Sequence, residues 1–167
     1  MQVTRNLGAY GVTLVLGLFG TSGLVRGCKP AAPARPPAVP VVAMDECVGM
    51  TNGIRSAAGL TPLTIDARVQ TAAQAHANYQ ANAGVMTHVS ANGARGGARL
   101  TASGFPWRAW GENVAAGQPT CAAVMDAWMN SPGHQANIVN PGFTHIGVAA
   151  AANGAGVVYW TMDLAAG

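Results

Sequence analysis

Three short stretches of the sequence place a histidine or a glutamate among glycines and other small residues. They are "MTHVS" with His88, "WGENVA" with Glu112 and "SPGHQANI" with His134. Two imidazoles and one carboxylate are also the protein ligands of a common open zinc site, in which water fills the remaining position. We therefore predict a divalent-cation site, for zinc or magnesium, at these residues. The same three side chains are the candidates for any catalytic role.

The sequence around His134 favours an imidazole that can bind metal. Ser131 is a favoured helix cap and Pro132 a favoured first helical residue, so His134 is expected in the first turn of a helix. The positive end of the helix dipole there favours neutral imidazole, the form that binds metal. A plain surface position for His134 is an equally good interpretation from this chemistry alone. Glu112 is at least as well explained as an acceptor for backbone amides in its glycine-flanked loop.

The sequence gives no support for nucleophilic catalysis. Ser131 lies three residues before His134, but a capping serine directs its oxygen to backbone amides and not to a base. The G-x-S-x-G turn of serine hydrolases does not occur, and Cys121 is expected in a disulfide. The remaining histidines are assigned other roles: His76 is expected to pack on a helix stripe, and His145 to face solvent from a strand.

The positive charge of the chain is concentrated at its N-terminal end. Four of the nine lysines and arginines precede residue 44, and the rest of the chain has five arginines and six acidic residues, a net charge of −1. A nucleic-acid-binding domain needs a basic surface that this composition does not supply. We therefore expect no nucleic-acid partner. The length fits one folded domain.

Residues 1–27 have the pattern of a secretory signal. A short head with Arg5 precedes the apolar run of residues 7–25, and the five glycines in that run disfavour the alternative, a permanent anchor helix. The run ends in "LVRGC", which resembles a bacterial lipobox and predicts lipidation of Cys28. Arg26 occupies a position where that motif usually has a small residue.

The cysteine count supports the same interpretation. An exported protein is expected to pair its thiols, and a bond between Cys47 and Cys121 leaves Cys28 free for lipidation. Residues 28–43 are rich in proline and alanine and predict a semi-rigid extended tether. The predicted organisation is thus a signal over residues 1–27, a tether over residues 28–43 and a domain over residues 44–167.

The domain begins with helical patterns and ends with extended ones. Helices are predicted over residues 45–59, over residues 67–84 after the cap Asp66, and over residues 121–130 after the cap Thr120. Residues 87–109 predict a loop with one short helix around residues 98–102, and "AWGENVAAG" fits a short strand or an ordered loop. Two extended runs around Asn153-Gly154 predict a hairpin. The fold class is α+β.

The ordered set of motifs resembles a bacterial CAP domain, also called the sperm-coating-protein-like domain. The set is "TPLTIDARVQTAAQAHANYQANAG", "MTHVS", "WGENVAAG", "AVMDAWMNSPGHQANIVNPGFTHIGV" and "VVYWTMDLA", and it covers about residues 46–165. The family includes cysteine-rich secretory proteins, venom allergens and plant pathogenesis-related proteins. The resemblance implies a three-layer α-β-α sandwich that ends in a β-hairpin.

The resemblance also implies a cleft with a His/Glu tetrad able to bind divalent cations. His88, Glu112 and His134 match the first His, the first Glu and the second His of that tetrad. The second Glu falls at Ser131 here, so one charged ligand is missing and cation binding is expected to be weaker. Ser131 stays in the candidate ligand set.

These observations predict an exported, lipid-anchored module whose cleft binds a divalent cation, a small lipid or an envelope ligand without turnover. The alternative is a metal-assisted hydrolase of envelope or peptide amides with Glu112 as base. A third interpretation is a structural domain with a vestigial cleft. The expected location is the cell envelope or the exterior, with the membrane as partner through Cys28. In a cell with two membranes, Lys29 after the anchor favours the outer one. The ligand and the oligomeric state stay open.

Overall fold

The computed structural model describes residues 41–167. The predicted signal, the lipidation of Cys28 and most of the predicted tether lie outside the described residues. The first helix, α1 (Val41–Ala57), begins three residues before the predicted domain boundary at residue 44. Within residues 41–167, no helix is long and apolar enough to cross a bilayer.

Within residues 41–167, five helices and four strands follow one another in a mixed order. The sheet runs β1-β3-β4-β2; β1 and β3 are parallel, and the other neighbours are antiparallel. The segment "AWGENVAAG", predicted as a strand or a loop, is a strand. After α1 the elements are β1 (Thr64–Ile65), α2 (Ala67–Ala83), α3 (Gly96–Ala102), β2 (Ala109–Ala116), α4 (Cys121–Met129), α5 (Pro132–Ile138), β3 (His145–Ala152) and β4 (Val158–Ala166).

The sheet is covered on both faces, which gives three layers. Helices α2 and α3 pack on one face, and α1, α4 and α5 pack on the other around the fully buried Trp128 and Trp160. Alternate residues of a strand point to opposite faces, so each strand contributes to both cores. The predicted α-β-α sandwich and its terminal hairpin are confirmed. The bond between Cys47 and Cys121, predicted from the cysteine count, joins α1 to α4.

The helix boundaries follow local capping chemistry, with one exception. The Asp66 carboxylate accepts a bond from the Arg68 amide at 2.8 Å, and Gly84 ends α2 in the left-handed conformation with φ 66°. Thr120 caps α4 through the amide of Ala123. Ser131 makes no side-chain capping bond, so its predicted role as a hydrogen-bonding cap is wrong. Helix α5 begins at Pro132 all the same, as its fixed φ favours.

The small residues of the chain let α2 lie close to the sheet. A Cβ atom on Gly147 would lie 2.5 Å from the backbone nitrogen of Gln70, so a side chain there would push α2 away. Alanines continue this contact between α2 and β3 towards the hairpin. The hairpin loop spans five residues, and its left-handed glycine is Gly156 (φ 80°), not the Gly154 of the Asn-Gly signal.

Side chains close parts of both outer edges of the sheet. On β2, the Trp128 indole donates to the carbonyl of Val114 at 3.2 Å, and Asn137 donates to the carbonyl of Glu112 at 3.3 Å. On β3, the Gln70 amide bonds both the N–H and the C=O of Val148. Exposed edges invite pairing with other chains, so these bonds protect the sheet and fix the neighbouring helices to it.

Candidate functional site

The predicted site is built around Glu112 on β2. Its side chain is 1% exposed and points to the α2/α3 face of the sheet. One carboxylate oxygen lies 2.7 Å from Nδ1 of His88, and the other accepts a bond from the Arg99 guanidinium. The sequence predicted that Glu112 and His88 come together, and the structure places them in direct contact.

His88 presents one ring nitrogen outward. Its side chain is 48% exposed, and Nδ1 is engaged by the buried carboxylate of Glu112. Since a carboxylate accepts and does not donate, Nδ1 carries the proton in the neutral ring, and Nε2 then keeps its lone pair. A carboxylate behind a histidine fixes the tautomer and the orientation of the ring in this way.

Arg99 holds the His88 loop on the sheet and balances the charge of Glu112. Nη1 lies 2.9 Å from the carbonyl oxygen of Ala94, 3.1 Å from the Ser90 hydroxyl and 3.3 Å from the carbonyl oxygen of His88. Arg99 is 8% exposed, so this ion pair with Glu112 is shielded from water. The carboxylate therefore offers little net charge to a ligand in the cleft.

The glycines of "RGGARL" explain how Arg99 reaches the site. A Cβ atom on Gly96 would lie 2.7 Å from the Trp110 ring, and one on Gly97 would lie 2.6 Å from its indole nitrogen. Any larger residue would push the short helix α3 away from β2. The packing of Trp110 on these two glycines therefore sets the depth at which Arg99 meets the carboxylate.

A buried histidine, His76, anchors the His88 loop from the α2 side. His76 on α2 is fully buried, and its Nε2 lies 2.6 Å from the carbonyl oxygen of Thr87. Gln80 accepts a bond from the Thr87 amide at 3.1 Å. Burial lowers the pKa of His76, and the nearby Arg99 lowers it further. The prediction that His76 packs on a helix stripe agrees with this buried position.

A second carboxyl group lies beside Glu112 on the neighbouring strand. Asp163 faces Glu112 across the β2–β4 ladder and is completely buried. Among the described residues, neither of its carboxyl oxygens has a hydrogen-bond partner, and the same is true of Nε of Arg99. Burial raises the pKa of Asp163 well above its ordinary value, and the charge of Glu112 raises it further. Asp163 thus holds its proton to higher pH than an exposed aspartate does, next to the ion pair of Glu112 and Arg99.

His134 approaches from the opposite layer. It lies in the first turn of α5, as predicted, and its backbone carbonyl accepts a bond from Asn113 at 3.0 Å. Asn137 donates to Asn113 at 2.9 Å, which fixes α5 against the outer edge of β2. Burial lowers the pKa of His134, and the nearby His88 lowers it further. The lowered pKa favours the neutral imidazole of His134, on the opposite side of β2 from His88.

The donor set differs in detail from the predicted one. Within residues 41–167, no three His, Cys, Asp or Glu side chains lie close enough together to hold a metal ion. Both oxygens of Glu112 are engaged and its side chain is 1% exposed, so a cation could bind the carboxylate only inside this buried pair. The free nitrogen donors are the imidazoles of His88 and His134. Ser131 is half-buried just before α5.

Four supporting residues were missed from the sequence: Arg99, Asn113, Asn137 and Asp163. Asp163 carried a usable signal, since it is a single acid in the apolar run "VVYWTMDLA". An acid at a strand's centre must be buried or paired when both faces are covered. Adjacent polar residues in "GEN" gave a weaker signal, because neighbours on a strand serve opposite faces.

Comparisons with known proteins agree with this architecture. Residues 48–164 match the sequence profile of the "Cysteine-rich secretory protein family" (CAP). The uncharacterized protein YkwD of Bacillus subtilis is 38% identical over 116 residues, which are 70% of this chain and 44% of YkwD. The uncharacterized membrane protein YlbC of the same species is 29% identical over 62% of this chain and 30% of YlbC. The chain thus spans less than half the length of these relatives.

Solved structures show the same fold. An extracellular protein with an SCP domain from Bacillus anthracis superposes with a TM-score of 0.69 at 27% identity, over 75% of this chain and 41% of that one. An outer surface protein of Borrelia burgdorferi gives a TM-score of 0.72 at 19% identity, over 78% of this chain and 97% of that one, a likeness of fold alone. With the family profile matched over most of its length, this chain belongs to the cysteine-rich secretory protein (CAP) family.

Proposed function

We propose that this protein is an exported, envelope-tethered binding module that takes a small ligand at His88 and His134 without turning it over. The observation that carries the proposal is the buried support of His88. Glu112 and Arg99 hold the ring in one orientation, in which Nε2 points away from the carboxylate and is available to a ligand. A preorganised donor binds with a smaller loss of side-chain freedom than a mobile one.

The chemistry of the free donors favours one kind of cation. Ring nitrogens suit borderline transition metals such as Zn²⁺, whereas Mg²⁺ prefers oxygen ligands and near-ideal octahedral geometry. His88 and His134 would hold such an ion, and the remaining positions would take water or a ligand group. Binding should be weak, because a stable zinc site uses three or four protein ligands. A bound ion would supply a positive centre for an anionic or carbonyl-bearing lipid or envelope ligand.

The hydrolytic alternative is less well supported by the geometry. It assigns the general base to Glu112, whose side chain is 1% exposed and paired with Arg99. A general base must reach the proton that it abstracts. Cys121 is held in a disulfide, and Ser131 has no base as a hydrogen-bond partner among the described residues. We therefore place binding ahead of catalysis.

An extracellular or surface location supports this role. The matched Bacillus anthracis protein is described as extracellular, and the Borrelia burgdorferi protein as an outer surface protein. The secretory pattern of residues 1–27 and the lipobox-like "LVRGC" point to export and anchoring at Cys28. Mass spectrometry of the mature protein tests the anchor, since diacylglycerol on Cys28 adds a defined mass.

Calorimetric titration of the purified exported protein with Zn²⁺ and Mg²⁺ tests the cleft. We expect saturable 1:1 Zn²⁺ binding, no saturable Mg²⁺ binding, and loss of Zn²⁺ binding in the His88→Ala/His134→Ala variant. His145→Ala is the matched control, because His145 lies against Phe105 outside the cleft. Absence of Zn²⁺ binding at millimolar concentration would overturn the proposed cation site. Lipids would then be the ligands to screen. Turnover of an envelope or peptide amide that His134→Ala abolishes would overturn the non-catalytic proposal.

A further inference from the structure

One edge of the sheet is only partly used by the described residues. Strand β1 pairs with β3 at His145 and Ile146 alone, whereas β3 continues to Ala152. The N–H and C=O of Val148 point to this edge, because the Gln70 side chain bonds both. Alternate residues of a strand share an edge, so the backbone groups of Ala150 point the same way. No described strand pairs with β3 beyond Ile146 on this side.

A groove of about 450 Å³ lies at this edge, between the two helical layers. One wall comes from the start of α1 and the other from α2, and exposed Ile65 of β1 stands at one end. The groove therefore lies next to the place that a longer β1 would occupy. Its lining residues are Met44, Asp45, Val48, Ile65, Gln70, Thr71 and Gln74.

The α2 wall presents groups that imitate a peptide backbone. Gln70, Gln74 and Asn78 follow one another at intervals of four residues on one side of the helix. Four helical residues rise by about 6 Å and two strand residues by about 6.6 Å, so Gln74 lies close to the level of Ala150. Gln74 donates to Asn78 at 3.0 Å, and its carbonyl oxygen remains a further acceptor. A carboxamide offers the same donor and acceptor as a peptide bond.

We propose that this groove is the docking site for residues 34–40 of the chain's own tether, "ARPPAVP", bound as an added edge segment. The tether joins α1 at Val41, one helical turn before Met44 of the groove. Seven extended residues span about 23 Å, which is enough to turn back along the wall of a groove of this size. This proposal is independent of the proposed function, because the tether can dock whether or not His88 and His134 bind a ligand.

Charge and backbone chemistry both fit this occupant. Asp45 and Glu46 are exposed at the start of α1, and Arg35 is the one charged residue of the segment. Proline is tolerated on edge strands at positions that face away from the ladder, because no N–H is needed there. It also restricts the free segment, so less conformational entropy is lost on docking. With Val39 facing β3, its N–H and C=O can pair with Ala150, Pro36 and Pro40 face away from the ladder, and Pro37 offers only its carbonyl to the β3 edge.

The docked segment would leave the cleft open. The sheet order puts β2, with Glu112 and the two imidazoles beside it, at the edge opposite to the groove. The chain would then enter the domain on the side away from His88 and His134. Ligands would reach the cleft without passing the tether.

Amide hydrogen exchange on the full exported protein tests the proposal. One protein carries the natural residues 34–40, and the other carries a glycine-serine segment of the same length. We expect Ala150 to exchange about tenfold faster or more in the second protein, because its edge bond is lost. Ala149 is the internal control, because it pairs with Thr161 of β4 and should keep its rate. Equal Ala150 rates in the two proteins would overturn the proposal.

A second variant separates docking from a general loosening of the edge. Gln74→Ala removes the amide opposite Ala150 and should accelerate Ala150 exchange in the natural protein, with little effect in the glycine-serine protein. Asn82→Ala, an exposed amide on the same helix, is the matched control and should change neither. If the protection of the Ala150 amide from exchange rises with protein concentration, a second copy of the chain occupies the groove. That result would overturn docking of the chain's own tether. Cation binding at the cleft is measured separately, so the two proposals fail independently.

Discussion

Two arginines are buried in this domain, and they are satisfied in different ways. Arg55 is fully buried at the end of α1, where burial lowers its pKa and no carboxylate bonds to it among the described residues. Arg99 is nearly as buried, but it pairs with Glu112 and leaves Nε without a described partner. The guanidinium of Arg55 donates instead to the carbonyl oxygens of Thr61, Ile138, Asn140 and Phe143, at 2.8 to 3.2 Å.

The difference separates a structural cation from one that sets the charge of a site. Arg55 joins the connection between α1 and β1 to the stretch from the end of α5 towards β3 through neutral backbone carbonyls, which is a structural role. Arg99 neutralises a carboxylate that orients His88, and it does so beside the second buried acid, Asp163. Incomplete satisfaction of buried polar groups costs stability, and proteins keep it mainly where function requires it. Three of the buried polar atoms without a partner among the described residues, Nε of Arg99 and both oxygens of Asp163, lie in this region.

The largest expected effect is the loss of the structural cation. Arg55→Met should destabilise the oxidised protein by about 4 kcal/mol, because four carbonyl groups from two segments lose their donor. Denaturant unfolding followed by tryptophan fluorescence measures this free energy. Arg95→Ala, at an exposed arginine just before α3, should change it by less than about 0.5 kcal/mol. A loss below about 1 kcal/mol for Arg55→Met would contradict the structural role.

The second prediction concerns the paired arginine. Arg99→Met should cost about 3 kcal/mol, because it leaves Glu112 buried without its counter-ion. Adding Glu112→Gln should recover part of that loss, since the uncompensated charge is then removed. The same unfolding assay, run as a double-mutant cycle, gives the coupling. If the two losses simply add, Arg99 stabilises the protein through packing and not through its charge. Arg55 bonds no carboxylate among the described residues, so no second substitution of this kind should recover the loss in Arg55→Met.

The two arginines also show where sequence reasoning succeeds and where it stops. Helix α2 was predictable, because Asp66 and Gly84 are local signals that act within one turn. The hairpin and the disulfide were predictable from turn chemistry and cysteine counting. Arg55 and Arg99 carry no comparable signal, because their partners lie on segments that only the tertiary fold brings together.

The residues of the candidate site were predictable from the sequence, but their hydrogen bonds and their burial were not. The motif resemblance identified His88, Glu112 and His134, and the structure places the first two in contact and the third across the edge of β2. The sequence did not reveal that Glu112 is buried behind His88, because exposure depends on how closely α3 packs. That closeness depends on Gly96 and Gly97 beneath Trp110, which looked like ordinary loop glycines.

The third prediction concerns Asp163, the buried acid beside the Glu112–Arg99 pair. Because the folded state raises the pKa of Asp163, this group favours folding below its unfolded pKa of 3.8, and that contribution is lost as the pH rises towards the folded value. Asp163→Asn removes this titration and keeps the size of the side chain. We expect the variant to gain about 1 kcal/mol over the natural protein at neutral pH, and less near pH 4. Unfolding curves between pH 4 and 8 test this, and a stability difference that stays constant with pH would contradict it.

The smallest expected effect lies on the cleft side of the site. The folded state lowers the pKa of His134, so its contribution to stability is present above the unfolded pKa of 6.5 and is lost as the pH falls through the folded value. His134→Gln should therefore reduce the acid-induced fall in stability below pH 6.5, by no more than about 0.5 kcal/mol, because water screens a partly exposed group. His76 is fully buried and titrates in the same direction, so part of the fall should persist in the variant. Melting temperatures between pH 5 and 7.5 measure both parts, and a pH dependence unchanged by His134→Gln would mean that His134 is too open to solvent to serve as a neutral donor beside His88.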